Sequence, residues 1–153
     1  MTELTTDFID LLTALVDAGV DFMVVGGYAV AFYGHPRATK DLDVFVRATP
    51  ANAKKLYQAL AAFGAPLNEF KVAEEDFSDY GGILQLGVPP QRIDIINRIS
   101  GVTYDEAVEN AGVFELEGRA IRIIGLDALT KNKLAAGRDQ DLVDAKLLTR
   151  DRR

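Results

Sequence analysis

The segment VVGGYAVAFYGHPRATKDLDVFV, residues 24–46, constrains the fold more than any other part of the sequence. An apolar run ends at Gly26 and Gly27, a short helical pattern follows up to Gly34, and a second apolar run occupies residues 42–46. This order of strand, glycine turn, helix and strand predicts a sheet with helices packed on it.

Helices and strands also alternate along the rest of the chain. In the first half of the chain, the sequence predicts a helix behind Thr5 and Thr6 that ends at Gly19, and a helix from Thr49-Pro50 to about Phe63. Two strands follow, over 83–88 and 92–96, and they are expected to pair antiparallel across Pro89-Pro90. The last elements are a short helix with a Thr103/Glu106 capping box, a hairpin over 113–124, and two helices that flank Gly137-Arg138. Residues 65–80 have no clear period and are expected to form a loop or a weak element. The fold class is therefore α/β (α+β), with a mixed, partly antiparallel sheet flanked by helices. A length of 153 residues is typical of one domain, so residues 1–153 are expected to form a single unit with helices 126–150 packed on it.

The composition excludes several kinds of site. The chain has no cysteine and one histidine, so thiolate chemistry and sites with several histidine ligands are excluded and any metal must bind oxygen atoms. The first residues carry acids where a signal peptide would carry basic residues, and no apolar run is long enough to span a bilayer, so a cytoplasmic location with no membrane partner is expected. A net charge of −6 disfavours general attraction to nucleic acid.

Acidic side chains interrupt two of the predicted strands. Residues i and i+2 of a strand point to the same face, so Asp41 and Asp43 present their carboxylates side by side, and Asp94 occupies an equivalent position between Ile93 and Ile95. If the two strands are neighbours, the three acids converge on one face. Carboxylates this close together repel one another, and proteins usually relieve such repulsion by binding a hard divalent cation such as Mg²⁺ or Mn²⁺. The glycines at 26 and 27 have no Cβ atom, so they would let a phosphate approach the backbone closely.

These residues together resemble the signature of the nucleotidyltransferase superfamily related to DNA polymerase β. The string GGYAVAFYGHPRATKDLD is similar to bacterial AbiEii-type and minimal MNT nucleotidyltransferases. The resemblance covers residues 22–46 closely, residues 92–96 loosely and residues 126–148 in general pattern. One departure is Gly27, because superfamily members often carry a serine there whose hydroxyl meets a phosphate.

The resemblance implies a specific chemistry. Asp41, Asp43 and Asp94 would be the catalytic and metal-binding residues, and the residues that bind the nucleotide would be Gly26, Gly27, Arg37, Lys40, Lys131 and Lys133. The reaction would move a nucleoside monophosphate from a nucleoside triphosphate to a hydroxyl acceptor, either a tRNA end or a partner protein, in a toxin–antitoxin or phage-defence system. RNA as acceptor would require the basic residues to gather into one patch.

Simpler interpretations remain beside this one. An Asp-x-Asp pair on a strand is by itself more often a solvent-facing edge, Gly-Gly is usually a tight turn, and Lys131 and Lys133 equally suit a helix C-terminus. A non-catalytic nucleotide-binding or antitoxin module of the same fold is the main alternative, and a purely structural α/β domain would bind neither metal nor nucleotide. The combination of the glycines with three acids favours the enzyme.

Overall fold

The computed structural model describes residues 4–36, 41–79, 81–87 and 92–150. Its helices are α1 (Thr6–Asp17), α2 (Gly26–Phe32), α3 (Pro50–Phe63), α4 (Tyr104–Val108), α5 (Leu126–Ala136) and α6 (Asp139–Arg150), with a 3₁₀ turn at Glu74–Phe77. Its strands are β1 (Phe22–Val25), β2 (Leu42–Val46), β3 (Ile83–Leu86), β4 (Ile93–Ile96), β5 (Gly112–Leu116) and β6 (Arg119–Ile123).

The six strands form one mixed sheet in the order β3-β4-β2-β1-β6-β5. β2 runs antiparallel to β1 but parallel to β4, and β1 runs parallel to β6. The outer strands β3 and β5 pair antiparallel with β4 and β6. The predicted fold class is confirmed. The structure also meets the condition on which convergence of the three acids depended, because the strand of residues 93–96 lies next to that of residues 42–46.

Local capping signals set the helix ends. Thr5 accepts a hydrogen bond from the Phe8 N–H, Thr49 accepts one from the Asn52 N–H, and Gly64 ends α3 in the left-handed region with a φ of 101°. Thr103 and Glu106 form the predicted capping box at the start of α4. These predictions are confirmed because a cap depends on residues only a few positions apart.

Two predicted boundaries differ from the structure. Helix α2 begins at Gly26, whereas the sequence predicted a glycine turn before a helix at Tyr28. Strand β4 begins at Ile93, whereas the sequence predicted a strand from Arg92. Arg92 therefore lies just before β4, as Asp41 lies just before β2. Residues 65–79 contain turns and the 3₁₀ helix, in agreement with the prediction of a loop or weak element. Residue 80 and the Pro89-Pro90 turn lie outside the described residues.

The central strands are covered on both faces. On one face, Leu12 of α1 lies with Val24 and Leu42 around a small apolar gap. On the other face, the ring of Phe45 lies 5.2 Å from that of Tyr104 on α4. Since Asp43 alternates with Leu42 and shares the face of Phe45, it points to the side where α5 packs against α2, α4 and α6. Within the described ranges, no helix has both the length and the apolar character needed to cross a bilayer.

Candidate active site

Three carboxylates meet where β2 and β4 begin. Asp43 of β2 is the direct register partner of Asp94 of β4, so the two side chains lie on the same face of neighbouring parallel strands. Asp41 lies two residues before Asp43 and therefore on the same side of the sheet. The structure thus brings together the three acids that the sequence analysis selected.

Arg92 lies within this group. Its Nη2 is 2.9 Å from Asp41 Oδ2, and its Nε is 3.1 Å from Asp94 Oδ1. The Leu42 N–H donates to the Arg92 carbonyl oxygen at 3.0 Å, which aligns the starts of the two strands. One guanidinium group therefore links two of the three carboxylates.

The pKa of Asp43 is shifted by burial and by its neighbours in the cluster. Burial, the charge of Asp94, a hydrogen bond with Asp94 and the charge of Asp41 together raise the pKa of Asp43 to about 7, and the positive charge of Lys133 only partly offsets this. A carboxyl with a pKa near 7 exchanges its proton readily at neutral pH, and it also gains most from a nearby cation. Both properties are typical of catalytic sites.

Gly26 brings the backbone of α2 against Asp43. It adopts a φ of 69°, and an added Cβ atom would overlap Asp43 Oδ2. Val25, the N-cap residue of α2, offers no side chain to the first N–H groups of the helix. The glycine is therefore required here both for its backbone conformation and for the space beside the carboxylate.

A cavity of about 470 Å³ opens beside these residues. Gly26, Gly27 and Asp43 form one wall, and its lining also includes Lys133 of α5, Asp141 of α6 and Arg138 between these helices. This volume is within the range of small-ligand sites. A second cavity, of about 400 Å³, shares Arg98, Ile99 and Ser100 with it.

Lys133 is held by a buried ionic network. Its side chain is only 7% exposed, and its Nζ lies 3.2 Å from Asp141 Oδ1 and 3.1 Å from Asp144 Oδ2. Burial by itself would raise the pKa of Asp141, but hydrogen bonds from Arg138 and Lys133 outweigh burial and hold that pKa below its usual value. The ammonium group of Lys133 is therefore fixed in position at the edge of the cavity.

The remaining predicted residues have different surroundings. Lys131 is exposed and pairs with Glu106 at 2.7 Å, and it is not among the described residues that line the cavity beside Asp43. Arg37 and Lys40 lie outside the described residues. Among the residues that are described, no group of three or more histidine, cysteine, aspartate or glutamate side chains is already arranged to hold a metal ion.

Sequence reasoning missed the roles of Arg92, Asp141 and Asp144. The two aspartates occupy the buried face of α6 with Ala145 and Leu148, at positions i, i+3, i+4 and i+7. Acids on the apolar face of an amphipathic helix would have been the signal for a buried network. Arg92 shares a strand face with Asp94, but its contact with Asp41 follows only from the pairing of the strands.

Replacement of Gly26 by alanine tests how closely the site is packed. We expect Gly26→Ala to lower the free energy of unfolding by about 1 to 3 kcal/mol more than Gly19→Ala, measured by urea denaturation. Gly19 is the matched control, because its φ of 74° is nearly the same while nothing lies within 4 Å of an added Cβ. Equal losses in the two variants would mean that Asp43 moves aside freely.

Comparison with known proteins is consistent with this geometry. Residues 4–150 match the family described as "Nucleotidyl transferase of unknown function (DUF2204)". No curated protein sequence matches the chain.

Solved structures of nucleotidyltransferases share the fold. A protein described as a nucleotidyltransferase from Thermotoga maritima is 15% identical, with a TM-score of 0.61 over 94% of this chain and 91% of that one. The antibiotic-resistance factor ANT(2″)-Ia is 10% identical, with a TM-score of 0.59 over 95% and 82% of the two chains. A lincosamide antibiotic adenylyltransferase, solved with lincomycin bound, is 16% identical, with a TM-score of 0.54 over 97% and 98%. At these identities the likeness concerns the fold.

Proposed function

The chain belongs to the family of nucleotidyl transferases of unknown function, and from this premise we propose that it transfers a nucleoside monophosphate from a nucleoside triphosphate to a hydroxyl acceptor, with Mg²⁺ or Mn²⁺ bound at Asp41, Asp43 and Asp94. The observation that carries the proposal is the register pairing of Asp43 with Asp94. Of the two, Asp43 lies beside Gly26 and lines the cavity. A structural domain would have no use for three adjoining acids that repel one another.

The oxygen atoms of the cluster suit a hard cation. Asp41 Oδ1 and Asp94 Oδ1 are buried and have no hydrogen-bond partner among the described residues. Carboxylate oxygens are preferred ligands of Mg²⁺. When bound, the metal would neutralise the acids and stabilise negative charge on the attacking and leaving oxygens.

The chain's own residues would orient the reactants. Gly26 and Gly27 would admit the triphosphate close to the backbone, and the fixed ammonium group of Lys133 would attract its negative charge. As the acceptor oxygen bonds to the α-phosphorus, the bond from that phosphorus to the bridging oxygen of pyrophosphate breaks. The proton of the acceptor hydroxyl would pass to Asp94, and pyrophosphate would leave.

Lys131, Arg37 and Lys40 remain proposed nucleotide contacts. Lys131 would have to exchange its exposed pairing with Glu106 for a phosphate. Because exposed ion pairs contribute little to the free energy of folding, the loss of this pair would have only a small free-energy cost. Arg37 and Lys40 precede Asp41 in the sequence by four residues and by one residue.

The acceptor that we propose is a hydroxyl of tRNA or of a partner protein, in a toxin–antitoxin or phage-defence system of the AbiEii type. One similar structure is described as an antibiotic-resistance factor and another as a lincosamide antibiotic adenylyltransferase with lincomycin bound, so a small hydroxyl compound is the comparison to include. An assay with α-phosphate-labelled nucleoside triphosphates would offer total tRNA, candidate partner proteins and antibiotics in parallel. Label on tRNA or protein supports the proposed acceptor, and label on an antibiotic alone contradicts it.

Calorimetric titration of the four ribonucleoside triphosphates tests nucleotide binding. With Mg²⁺ present, we expect binding of at least one of them, and we expect the Asp41→Asn/Asp94→Asn variant to bind it at least about a hundredfold more weakly, because loss of a ligand costs more than the ten- to hundredfold loss typical of outer partners. EDTA is expected to have the same effect on the unaltered protein.

The matched control removes two exposed acids, Asp7 and Asp10, as Asp7→Asn/Asp10→Asn. It changes the net charge equally and should leave nucleotide affinity unchanged. Binding that survives both EDTA and the loss of Asp41 and Asp94 would favour a non-catalytic nucleotide-binding module. Absence of any binding would favour a partner-binding module of the same fold.

A further inference from the structure

We propose that Arg92 is an internal cation of the carboxylate cluster, and that a divalent metal ion binds there only by displacing its guanidinium group. The inference rests on the proposed function, because it requires Asp41, Asp43 and Asp94 to be the metal ligands. It adds a residue that controls when the site can accept metal.

The position of Arg92 follows from the pairing of β2 and β4. Asp43 faces Asp94 in the parallel register, and two residues earlier, just before both strands begin, the same register brings Asp41 beside Arg92. The guanidinium group reaches Asp41 at 2.9 Å, and it reaches both oxygens of Asp94, with Nε at 3.1 Å from Oδ1 and Nη2 at 3.4 Å from Oδ2. It thereby occupies the space between two carboxylates that would ligate the metal.

Arginine satisfies these oxygens incompletely. Asp94 Oδ1 and Arg92 Nε are close enough for an ion pair, yet neither has a well-directed hydrogen bond, and Asp41 Oδ1 has no hydrogen-bond partner among the described residues. A guanidinium group donates only along its in-plane N–H directions, whereas a divalent metal ion takes about six oxygen ligands arranged around it in three dimensions. A small divalent ion can therefore satisfy atoms that Arg92 leaves unpaired.

The guanidinium group can leave without disturbing the sheet. Arg92 precedes β4, and its backbone is held by the hydrogen bond from the Leu42 N–H, which does not involve the side chain. The side chain of Arg92 is 30% exposed, while that of Asp94 is 11% exposed. Rotation of the arginine side chain towards solvent would open the carboxylates while the strands keep their register.

Charge decides the direction of the exchange. One guanidinium group offers a single positive charge to three carboxylates, and a divalent ion offers twice as much at shorter distance. Displacement still breaks charge-assisted contacts, so metal alone should bind weakly. A metal ion that arrives with a triphosphate would face a smaller penalty, because the phosphates can attract the released guanidinium group.

Titration of the full chain with Mn²⁺ in the absence of nucleotide tests the proposal. We expect Arg92→Gln to bind Mn²⁺ at least about tenfold more tightly than the unaltered protein. The reason is that the metal ion no longer has to break the charge-assisted contacts between the guanidinium group and the carboxylates. Free Mn²⁺ is quantified by electron paramagnetic resonance. Arg92→Lys is expected to fall between the two, since an ammonium group makes a point contact and cannot bridge both carboxylates.

Arg47→Gln is the matched control. Arg47 also interacts with two carboxylates, at 3.5 Å from Asp21 and 2.9 Å from Asp105, and its removal changes the net charge by the same amount. Its Mn²⁺ affinity should equal that of the unaltered protein. The triple variant Arg92→Gln/Asp41→Asn/Asp94→Asn should lose the gain, which locates the ion at the cluster.

The outcomes separate this inference from the proposed function. Equal or weaker Mn²⁺ binding by Arg92→Gln, with measurable binding by the unaltered protein, overturns the role of Arg92 and leaves the metal site standing. Absence of Mn²⁺ binding in every variant overturns both. An equal gain in Arg47→Gln would reduce the effect to net charge and would also overturn the inference.

The unaltered protein provides a measurement that does not depend on how the variants fold. The Arg92 Nε–H resonance is assigned by its absence from the Arg92→Gln spectrum. Addition of diamagnetic Mg²⁺ at saturating concentration is expected to shift this resonance towards that of a solvent-exposed arginine. Binding of Mg²⁺ with the Arg92 resonance unmoved would contradict displacement.

Discussion

Lys133→Met is expected to lower the free energy of unfolding by about 3 to 5 kcal/mol at pH 7, the usual cost of removing one partner from a buried ion pair. Asp141 and Asp144 are each 1% exposed and would keep their charges without the ammonium group between them. Urea denaturation followed by circular dichroism measures the loss. Methionine is nearly the same length as lysine, so packing changes little.

The pH dependence of this loss identifies its cause. The pKa of Asp141 is depressed in the folded chain, so the stability that this group contributes is present above its unfolded pKa and is lost as pH falls through its folded pKa. The difference in free energy of unfolding between the variant and the unaltered protein should therefore become smaller below about pH 4. A cavity left by the substitution would give the same loss at every pH.

Lys131→Met is the matched control on the same helix. Lys131 is 57% exposed and pairs with the exposed Glu106, so its loss should have a much smaller effect. Similar losses in the two variants, or a loss below about 1 kcal/mol for Lys133→Met, would show that Arg138 and Gln140 compensate the buried acids without Lys133.

Asp43→Asn is expected to stabilise the fold and to abolish Mg²⁺-dependent nucleotide binding. The pKa of Asp43 is raised to about 7, so the folded chain binds a proton that the unfolded chain has lost above about pH 4. Stability therefore falls as pH rises from about 4 to 7. Asparagine removes that dependence, and the gain at pH 8 is at most about 4 kcal/mol.

Denaturation in EDTA between pH 4 and pH 8 checks the prediction, because a bound metal would mask the repulsion. The two proteins should converge as the pH falls towards 4, because Asp43 is protonated in the folded chain there and about half protonated in the unfolded chain. Asp10→Asn, which removes an exposed acid from α1, should show no such pH-dependent gain. A variant that is less stable than the unaltered protein at pH 8 would mean that the Asp43 carboxylate is already well compensated.

Local signals predicted most of the elements. Thr49, Pro50 and Gly64 set both ends of α3, and the capping box set the start of α4, because each signal acts within one helical turn. The start of α2 was predicted two residues late. Glycine is a poor helix former, and one begins this helix because both its φ of 69° and its contact with Asp43 require a residue without a Cβ atom.

The site was predictable in composition but not in electrostatics. The side-by-side placement of Asp41 and Asp43 follows from strand alternation alone. The convergence of Asp94 on them required the parallel pairing of β2 with β4, which no pattern in the sequence predicts. The contact between Arg92 and Asp41 could not be predicted from the sequence, because the two residues are distant along the chain.

By itself, then, the sequence determined the order of helices and strands, their caps, and the acids and glycines that mark the site, because these depend on residues a few positions apart. Only the tertiary structure decided which strands are neighbours, that Arg92 lies between Asp41 and Asp94, and that Lys133 is buried with Asp141 and Asp144. Those arrangements depend on contacts between distant segments, and no local pattern encodes the register of a strand pair or the solvent that a folded chain excludes.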